Sequence, residues 1–260
     1  MTQLTQIDEH ITLDGFSIHV IGALNKDNKD TIIFLHDSLG CNAVWRSFPS
    51  KLASAVDANW LSYDRVGYGQ SSAMPSAKRA DNYLELEADF LMKLLAKYNL
   101  NNPILFGHSD GGSIAIIAAA KHPSKIKAII TEGAHVFVED ITLEGIELAK
   151  EQYEHSNLPE RLAQYHGTKT QTLFEAWTET WLSPSFRNWN IEHFLPNITC
   201  PTLVMQGTED EYGSQAQVSS IATKVNGLSQ IFMVANARHS PHKQCEDFVI
   251  TTCSAFLQKI

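Results

Sequence analysis

The sequence predicts an α/β protein: a doubly wound, mainly parallel sheet with a helical insertion. Three observations carry this. Short, nearly continuous apolar runs alternate with helical stretches along most of the chain. One junction, ILFGHSDGG at residues 104–112, breaks an apolar run into glycines and small polar residues before a helix-like pattern resumes. One long stretch, from about Val138 to Pro196, is helical throughout and holds no strand-like run.

The elements follow in order. Residues 14–24, 31–37, 59–64, 103–108, 127–133, 202–207 and 229–235 read as strands, most of them apolar throughout, as expected where both faces are covered. Between them, Leu84, Ala88, Leu91, Leu95 and Tyr98 recur at four-three-four-three spacing, one face of an amphipathic helix. GGSIAIIAAAKHP is a small-residue helix ended by Pro123, suited to lying against a sheet, and CEDFVITTCSAFLQKI closes the chain as a helix. Strand-helix alternation of this kind implies a parallel, doubly wound sheet. The strand-free stretch carries Trp177, Trp181 and Trp189, three of the five tryptophans. We expect residues 1–137 and 199–260 to form the core and 138–198 a cap over the carboxyl ends of the strands, where open α/β sheets bind ligands.

Composition narrows the function. A chain of 260 residues with 43% hydrophobic content builds one full core, and a formal net charge of −9 argues against nucleic acid or an anionic membrane as partner. The N-terminal MTQLTQIDEHITL has no apolar signal-like core and no run approaches membrane-spanning length, so a soluble, unexported, cytoplasmic protein is expected. Cys41, Cys200, Cys245 and Cys253 are scattered without a CxxC pair, which suits reduced, mostly buried thiols rather than a zinc site or disulfides.

The chemistry starts at Gly107-His108-Ser109-Asp110-Gly111, a G-x-S-x-G between a strand and a helix. In that register Ser109 is the nucleophile, raised on a tight turn near a helix N-terminus whose N–H groups favour a developing anion, and Asp110 supplies a backbone N–H. A serine needs a base, and the base an orienting acid. The loop after 202–207 offers Glu209, Asp210 and Glu211; the loop after 229–235 offers His239 and His242.

These segments together resemble the α/β-hydrolase superfamily, in its capped esterase and lipase-like branch, including carboxylesterases and pimeloyl-carrier-protein methyl ester esterases. GHSDGG is similar to its GHSxGG elbow, Gly207-Thr-Glu-Asp210 to its acid loop, and RHSPH to its histidine loop, with Arg238 where glycine is usual. The resemblance makes Asp210 the acid and His239 the base, and leaves His242 a supporting or surface residue at the start of the last helix. His36-Asp37-Ser38-Leu39-Gly40 resembles the HGxxG turn, so Ser38 gives the second oxyanion N–H; Asp37 replaces a glycine there and is expected to need an unusual backbone angle. Residues 64–71, DRVGYGQS, resemble a stretch that is structural in the family; as a dinucleotide loop GYGQSS lacks the third glycine.

The resemblance implies a serine carboxylic ester hydrolase for small to medium acyl esters, with neither metal nor organic cofactor. Trp177, Trp181, Phe186, Arg187 and Trp189 are expected to form the substrate-binding roof. Other readings of the same motifs stay open: a pimeloyl-acyl-carrier-protein methyl ester esterase, with Lys150, Arg161, Lys169 and Arg187 offering a basic patch to the carrier protein; a carbon–carbon bond hydrolase, with Arg187 or a similar group holding a substrate carboxylate, or a lactonase; or a non-enzymatic ligand receptor that uses the pocket mainly to bind.

Overall fold

The computed structural model describes residues 5–25 and 30–260; the first four residues of the N-terminal stretch lie outside it. Its sheet has eight strands in the order β1-β2-β4-β3-β5-β6-β7-β8. β1 (Thr5–Leu13) and β2 (Phe16–Leu24) form a hairpin, and β2 pairs antiparallel with β4 (Asn59–Tyr63). From β4 onward every pairing is parallel, through β3 (Thr31–Leu35), β5 (Ile104–His108), β6 (Ala128–Glu132), β7 (Thr202–Gly207) and β8 (Ser229–Val234).

Two strand expectations need correction. β1 has no counterpart in the sequence reading, which began the first strand at residue 14. The signal is present: Ile7, Ile11 and Leu13 share one face, and Asp14 (φ 50°) with Gly15 (φ 83°) makes the two-residue turn whose twist suits a hairpin. β8 is not covered on both faces. It is an edge strand, with Ile231 and Phe232 exposed.

Helices cover both faces. One layer holds α1 (Phe48–Ala55) and the C-terminal α9 (Glu246–Leu257), packing Phe48, Leu52, Val249 and Phe256 against Ile32, Phe34 and Phe106. The other holds α2 (Tyr83–Lys97), α3 (Asp110–Lys121) and α7 (Gln215–Lys224). Leu84, Ala88, Leu91 and Leu95 of α2 are buried as their spacing predicts; Tyr98 lies just past the helix end. α3 is buried along almost its whole length, which its run of glycine, alanine and isoleucine permits.

Between β6 and β7 the chain forms α4 (Asp140–His155), α5 (Leu158–His166) and α6 (Thr170–Trp181), then short 3-10 turns. Its only pairing with extended backbone, among the described residues, is one bridge from Phe137 to Asn190. No helix among the described residues is long and apolar enough to cross a membrane.

The strand order also locates the site. β3 lies between β4 and β5, so the chain winds in opposite directions on either side of the β3–β5 pair. The connections leaving the carboxyl ends of these two strands diverge and open a crevice. The segment 36–40 leaves β3 there, and Ser109 follows β5.

Candidate active site

Ser109 sits between β5 and α3 with φ 54° and ψ −119°, a conformation that L-residues rarely adopt and that costs on the order of 1–3 kcal/mol. Close packing holds it. A Cβ on Gly107 would stand 2.1 Å from the Gly111 carbonyl oxygen, and one on Gly111 would stand 1.9 Å from that of Leu35. The backbone N–H of Ser109 donates to the Glu132 carbonyl at 2.8 Å, fixing the turn to the end of β6.

His239 and Asp210 meet as the loop order predicts. Nδ1 of His239 lies 2.8 Å from Asp210 Oδ1, which also accepts the Tyr212 N–H at 2.9 Å. Burial pulls the His239 pKa down, but the charge and hydrogen bond of Asp210 outweigh it and raise it above the ordinary value. Burial pushes the Asp210 carboxyl up, and His239 more than offsets that, holding it below the usual range. The backbone of His239 is pinned from both sides: its N–H donates to Glu211 at 3.1 Å, and its carbonyl accepts from Nε2 of His108 at 2.8 Å.

Ser109 and His239 face one partly open cavity of about 430 Å³, also walled by Ser38, Asp110 and His135. No hydrogen bond joins Ser109 Oγ to the imidazole in this structure; the two share a wall. Among the described residues the N–H groups of Ser38 and Asp110 have no protein acceptor. On its far side the cavity meets the insertion, through Thr142 and Ile146 of α4 and Trp177 and Trp181 of α6.

The roof differs from expectation. Trp177 and Trp181 line the cavity; Phe186, Arg187 and Trp189 do not. Phe186 is fully buried behind Trp181 and stacks on Trp189 at 5.2 Å between ring centroids. Arg187 is half exposed and pairs with Asp140, so it has no access to a ligand in the cavity. Lys169, another cation of the expected basic patch, donates to the carbonyls of Tyr68, Gly69 and Ser71 instead.

Asp37 has no unusual backbone angle: its φ is not positive. Its carboxylate lines the cavity 3.7 Å from His108 Nδ1. Burial pushes its pKa up, but Lys243 and His108 hold it well below the usual carboxylate range. Neighbouring His36 is structural. Nδ1 donates to the Asp37 carbonyl at 2.8 Å and Nε2 accepts the Arg65 N–H at 3.1 Å, a neutral ring whose pKa burial and Arg65 depress to about 3.

Three features escape motif reading. Asp110 contributes more than a backbone N–H: its buried carboxylate accepts from Arg65 at 3.3 Å and from the Tyr83 hydroxyl at 3.1 Å, and Tyr83 in turn accepts from Trp181 Nε1 at 3.0 Å. His135 donates to the Tyr212 carbonyl at 2.9 Å, and Thr142 to the same oxygen at 2.6 Å, so the acid loop is tied to α4. His242 is neither on the surface nor in the last helix. It lies buried in the short α8 (Pro241–Gln244), hydrogen-bonded to buried Glu132 through its ring and, at 2.7 Å, its N–H. His108, Glu132 and His242 bring three potential metal-ligand atoms within 4.8 Å of one another, but those of Glu132 and His242 already face each other and Nε2 of His108 is taken by His239.

The stretch 64–71 is structural, as its resemblance implied. Asp64 accepts from the N–H groups of Asn42 at 2.6 Å and Gln70 at 2.8 Å and from His19 at 3.0 Å, and a Cβ on Gly69 would strike its carboxylate. The cysteines are free thiols, three of them buried.

Comparison with known proteins agrees with this architecture. A family model for the alpha/beta hydrolase fold matches residues 30–168. The human serine hydrolase BPHL is 28% identical over 208 residues, spanning 76% of this chain and 69% of that protein. The 2-succinyl-6-hydroxy-2,4-cyclohexadiene-1-carboxylate synthase of Escherichia coli O1:K1 / APEC is 26% identical over 173 residues, 66% of this chain and 62% of the other. Among solved structures, the 2-hydroxy-6-oxo-6-phenylhexa-2,4-dienoate hydrolase of Rhodococcus sp. strain RHA1 superposes with a TM-score of 0.82 at 12% identity, over 98% of this chain and 100% of that one, a likeness of fold. With over half its length matched by the family model and its strand order and elbow in place, this chain belongs to the alpha/beta hydrolase fold family.

Proposed function

We propose that the protein is a serine carboxylic ester hydrolase for small to medium acyl esters. The observation that carries this reading is the hydrogen-bonded Asp210–His239 pair facing the same cavity as Ser109 on its strained turn. Ser109 Oγ attacks the acyl carbonyl while His239 Nε2 takes its proton, and the negative charge passes to the carbonyl oxygen. The free N–H groups of Ser38 and Asp110 hold that oxyanion. His239 then gives the proton to the departing alkoxide, leaving an acyl-Ser109 ester. Water, deprotonated by His239, attacks this ester, and the acid departs with Ser109 restored. Asp210 stays ionised throughout and holds Nδ1–H, so that Nε2 is the basic nitrogen. The insertion 138–198 serves as the cap, with α4 and α6 closing the cavity and limiting the acyl group it admits.

A carbon–carbon bond hydrolase is a second reading of the same site. It calls for Arg187 or a similar group to hold a substrate carboxylate, and Arg187 itself turns to Asp140. A carrier-protein substrate is disfavoured by the acidic chain, and by the engagement of Lys169 and Arg187 elsewhere.

A fluorophosphonate probe tests the ester reading. It is expected to label one residue, identified by peptide mass spectrometry as Ser109, and Ser109→Ala is expected to lose both labelling and ester turnover. Labelling of Ser38 or Ser240, or turnover by the alanine variant, would refute it. Tight ligand binding with no turnover of any ester, thioester or lactone would favour a receptor.

A further inference from the structure

A second groove runs on from the cavity, sharing Asp37 and Leu39 with it. It is wider, about 910 Å³, and three cations line it: Arg46, which follows the 3-10 turn Asn42–Trp45, Arg161 of α5 and Lys243 of α8. Among the other described cations, Lys51, Lys93, Lys121, Lys127, Lys224 and Arg238 sit in ion pairs, while Lys78, Lys97, Lys125, Lys150 and Lys259 stand apart from one another in the sequence without one. Among the described residues Arg46, Arg161 and Lys243 form no ion pair and no side-chain hydrogen bond. Three separate segments of an acidic chain bring positive charge to one groove, with Asp37, which feels the charge of Lys243, its one acidic lining residue. The rest of the lining includes Leu39, Val44, Leu158 and Leu162, so apolar side chains accompany the cations in this groove.

The catalytic cavity itself has no lysine or arginine in its wall. A substrate anion is therefore unmatched beside the reacting carbonyl and matched one step away.

We propose that the substrate is an ester with a remote anion, carboxylate or phosphate, at the end of an apolar arm, and that Arg46, Arg161 and Lys243 hold that anion in this groove. The proposal rests on the ester-hydrolase reading and deepens it. The arm lies along Leu39, Leu158 and Leu162, and the anion meets guanidinium groups suited to two-point contact with either oxyanion. Asp37, held ionised between Lys243 and the cavity, sets a minimum arm length, because it repels an anion placed near Ser109.

The test compares mono-4-nitrophenyl esters of the dicarboxylic acids from glutaric to sebacic with neutral esters of equal length, and with 4-nitrophenyl esters of ω-phosphonooxy acids. One range of lengths is expected to show a lower KM for the anionic ester, about three- to tenfold, shrinking at high salt. Whichever anion shows the larger effect identifies the natural group. In Arg46→Gln, Arg161→Gln and Lys243→Gln the ratio of kcat/KM for anionic over neutral ester is expected to fall stepwise, and to reach about one when all three are combined. A neutral preference at every length, or an anionic preference that survives the triple substitution, overturns the proposal. If no ester is turned over, the ester reading fails on its own. Calorimetry with suberate and with inorganic phosphate then decides the groove: binding heat lost in the triple variant supports it, and no heat, or equal heat in both proteins, overturns it.

Discussion

Ser109 and Asp110 are neighbours in the chain with opposite surroundings. The serine hydroxyl faces the cavity, while the aspartate carboxylate is buried against Arg65 and the Tyr83 hydroxyl. Arg65 is itself 1% exposed, and that carboxylate is its ion-pair partner. Asp110→Asn leaves the guanidinium buried without its counter-charge and is expected to cost about 3–5 kcal/mol of stability, read by chemical denaturation. Loss of turnover with unchanged stability would instead give the carboxylate a direct chemical part. The motif makes the register of Ser109 legible, because the tight turn demands glycines at fixed offsets. The Arg65–Asp110 pair is invisible to it, since the partners are far apart in the chain and neither periodicity nor turn chemistry links them. The base titrates by the same local logic. On the proposed mechanism turnover needs neutral His239, and Asp210 raises its pKa against the pull of burial. The acid limb of kcat/KM is therefore expected above the reference value of about 6.5, with activity falling as pH drops through it. Asp210→Asn removes the raising charge. The limb should then move to lower pH while kcat falls by about 10⁴. A limb that stays in place in the variant would assign the titration to another group.

At the scale of elements, the site depends on how β5, β6 and the two terminal loops are pinned together. Glu132 ends β6; its carbonyl receives the Ser109 N–H and its carboxylate receives His242 from α8. His108, ending β5, holds the His239 carbonyl. The loop with the base is thus anchored at two points three residues apart. His242→Ala takes the ring partner from the buried Glu132 carboxylate and leaves it only the backbone N–H of residue 242, and is expected to cost about 1–3 kcal/mol, lowering the melting temperature by several degrees. Glu132→Gln in the His242→Ala background should recover part of the loss, since the buried charge is gone. A melting temperature indifferent to His242→Ala would count against a supporting role for that residue. The sequence left a supporting and a surface role open for it, because burial of one histidine and partial exposure of another, three residues apart, depends on the break between α8 and α9, which periodicity does not place. The missed β1 is a different case. Its alternation and the Asp14-Gly15 turn are local signals, diluted by a polar face that an edge hairpin leaves in solvent.

For the whole molecule, topology sets the layout: the loops after β3, β5 and β8 bring Ser38, Ser109 and His239 to one cavity, and the long β6–β7 connection brings Thr142, Ile146, Trp177 and Trp181 to its wall. The strand-free, tryptophan-rich stretch makes the insertion legible in sequence, but not which tryptophans face inward. Trp177 and Trp181 belong to α6, whose buried face turns to the cavity, while Phe186 and Trp189 follow its end and pack behind it. Two residues of that wall offer a test of acyl selection. Ile146 is 1% exposed and Trp177 7% exposed, and both line the cavity without hydrogen-bonding Ser109, His239 or Asp210. Ile146→Ala and Trp177→Ala remove apolar volume from the wall opposite Ser109, at a cost of about 2–5 kcal/mol in stability. In the folded protein the vacated space admits more of an acyl chain, each added methylene gaining up to about 0.8 kcal/mol of burial. The optimum in a series of 4-nitrophenyl acyl esters is therefore expected to move to longer chains in both variants. Turnover of 4-nitrophenyl acetate, which does not reach that wall, should change far less. The two substitutions act at the same end of one cavity, so their effects on chain length should be less than additive when combined. A uniform loss across the series, in protein shown to be folded, would mean that α4 and α6 only support the core and that acyl selection lies elsewhere.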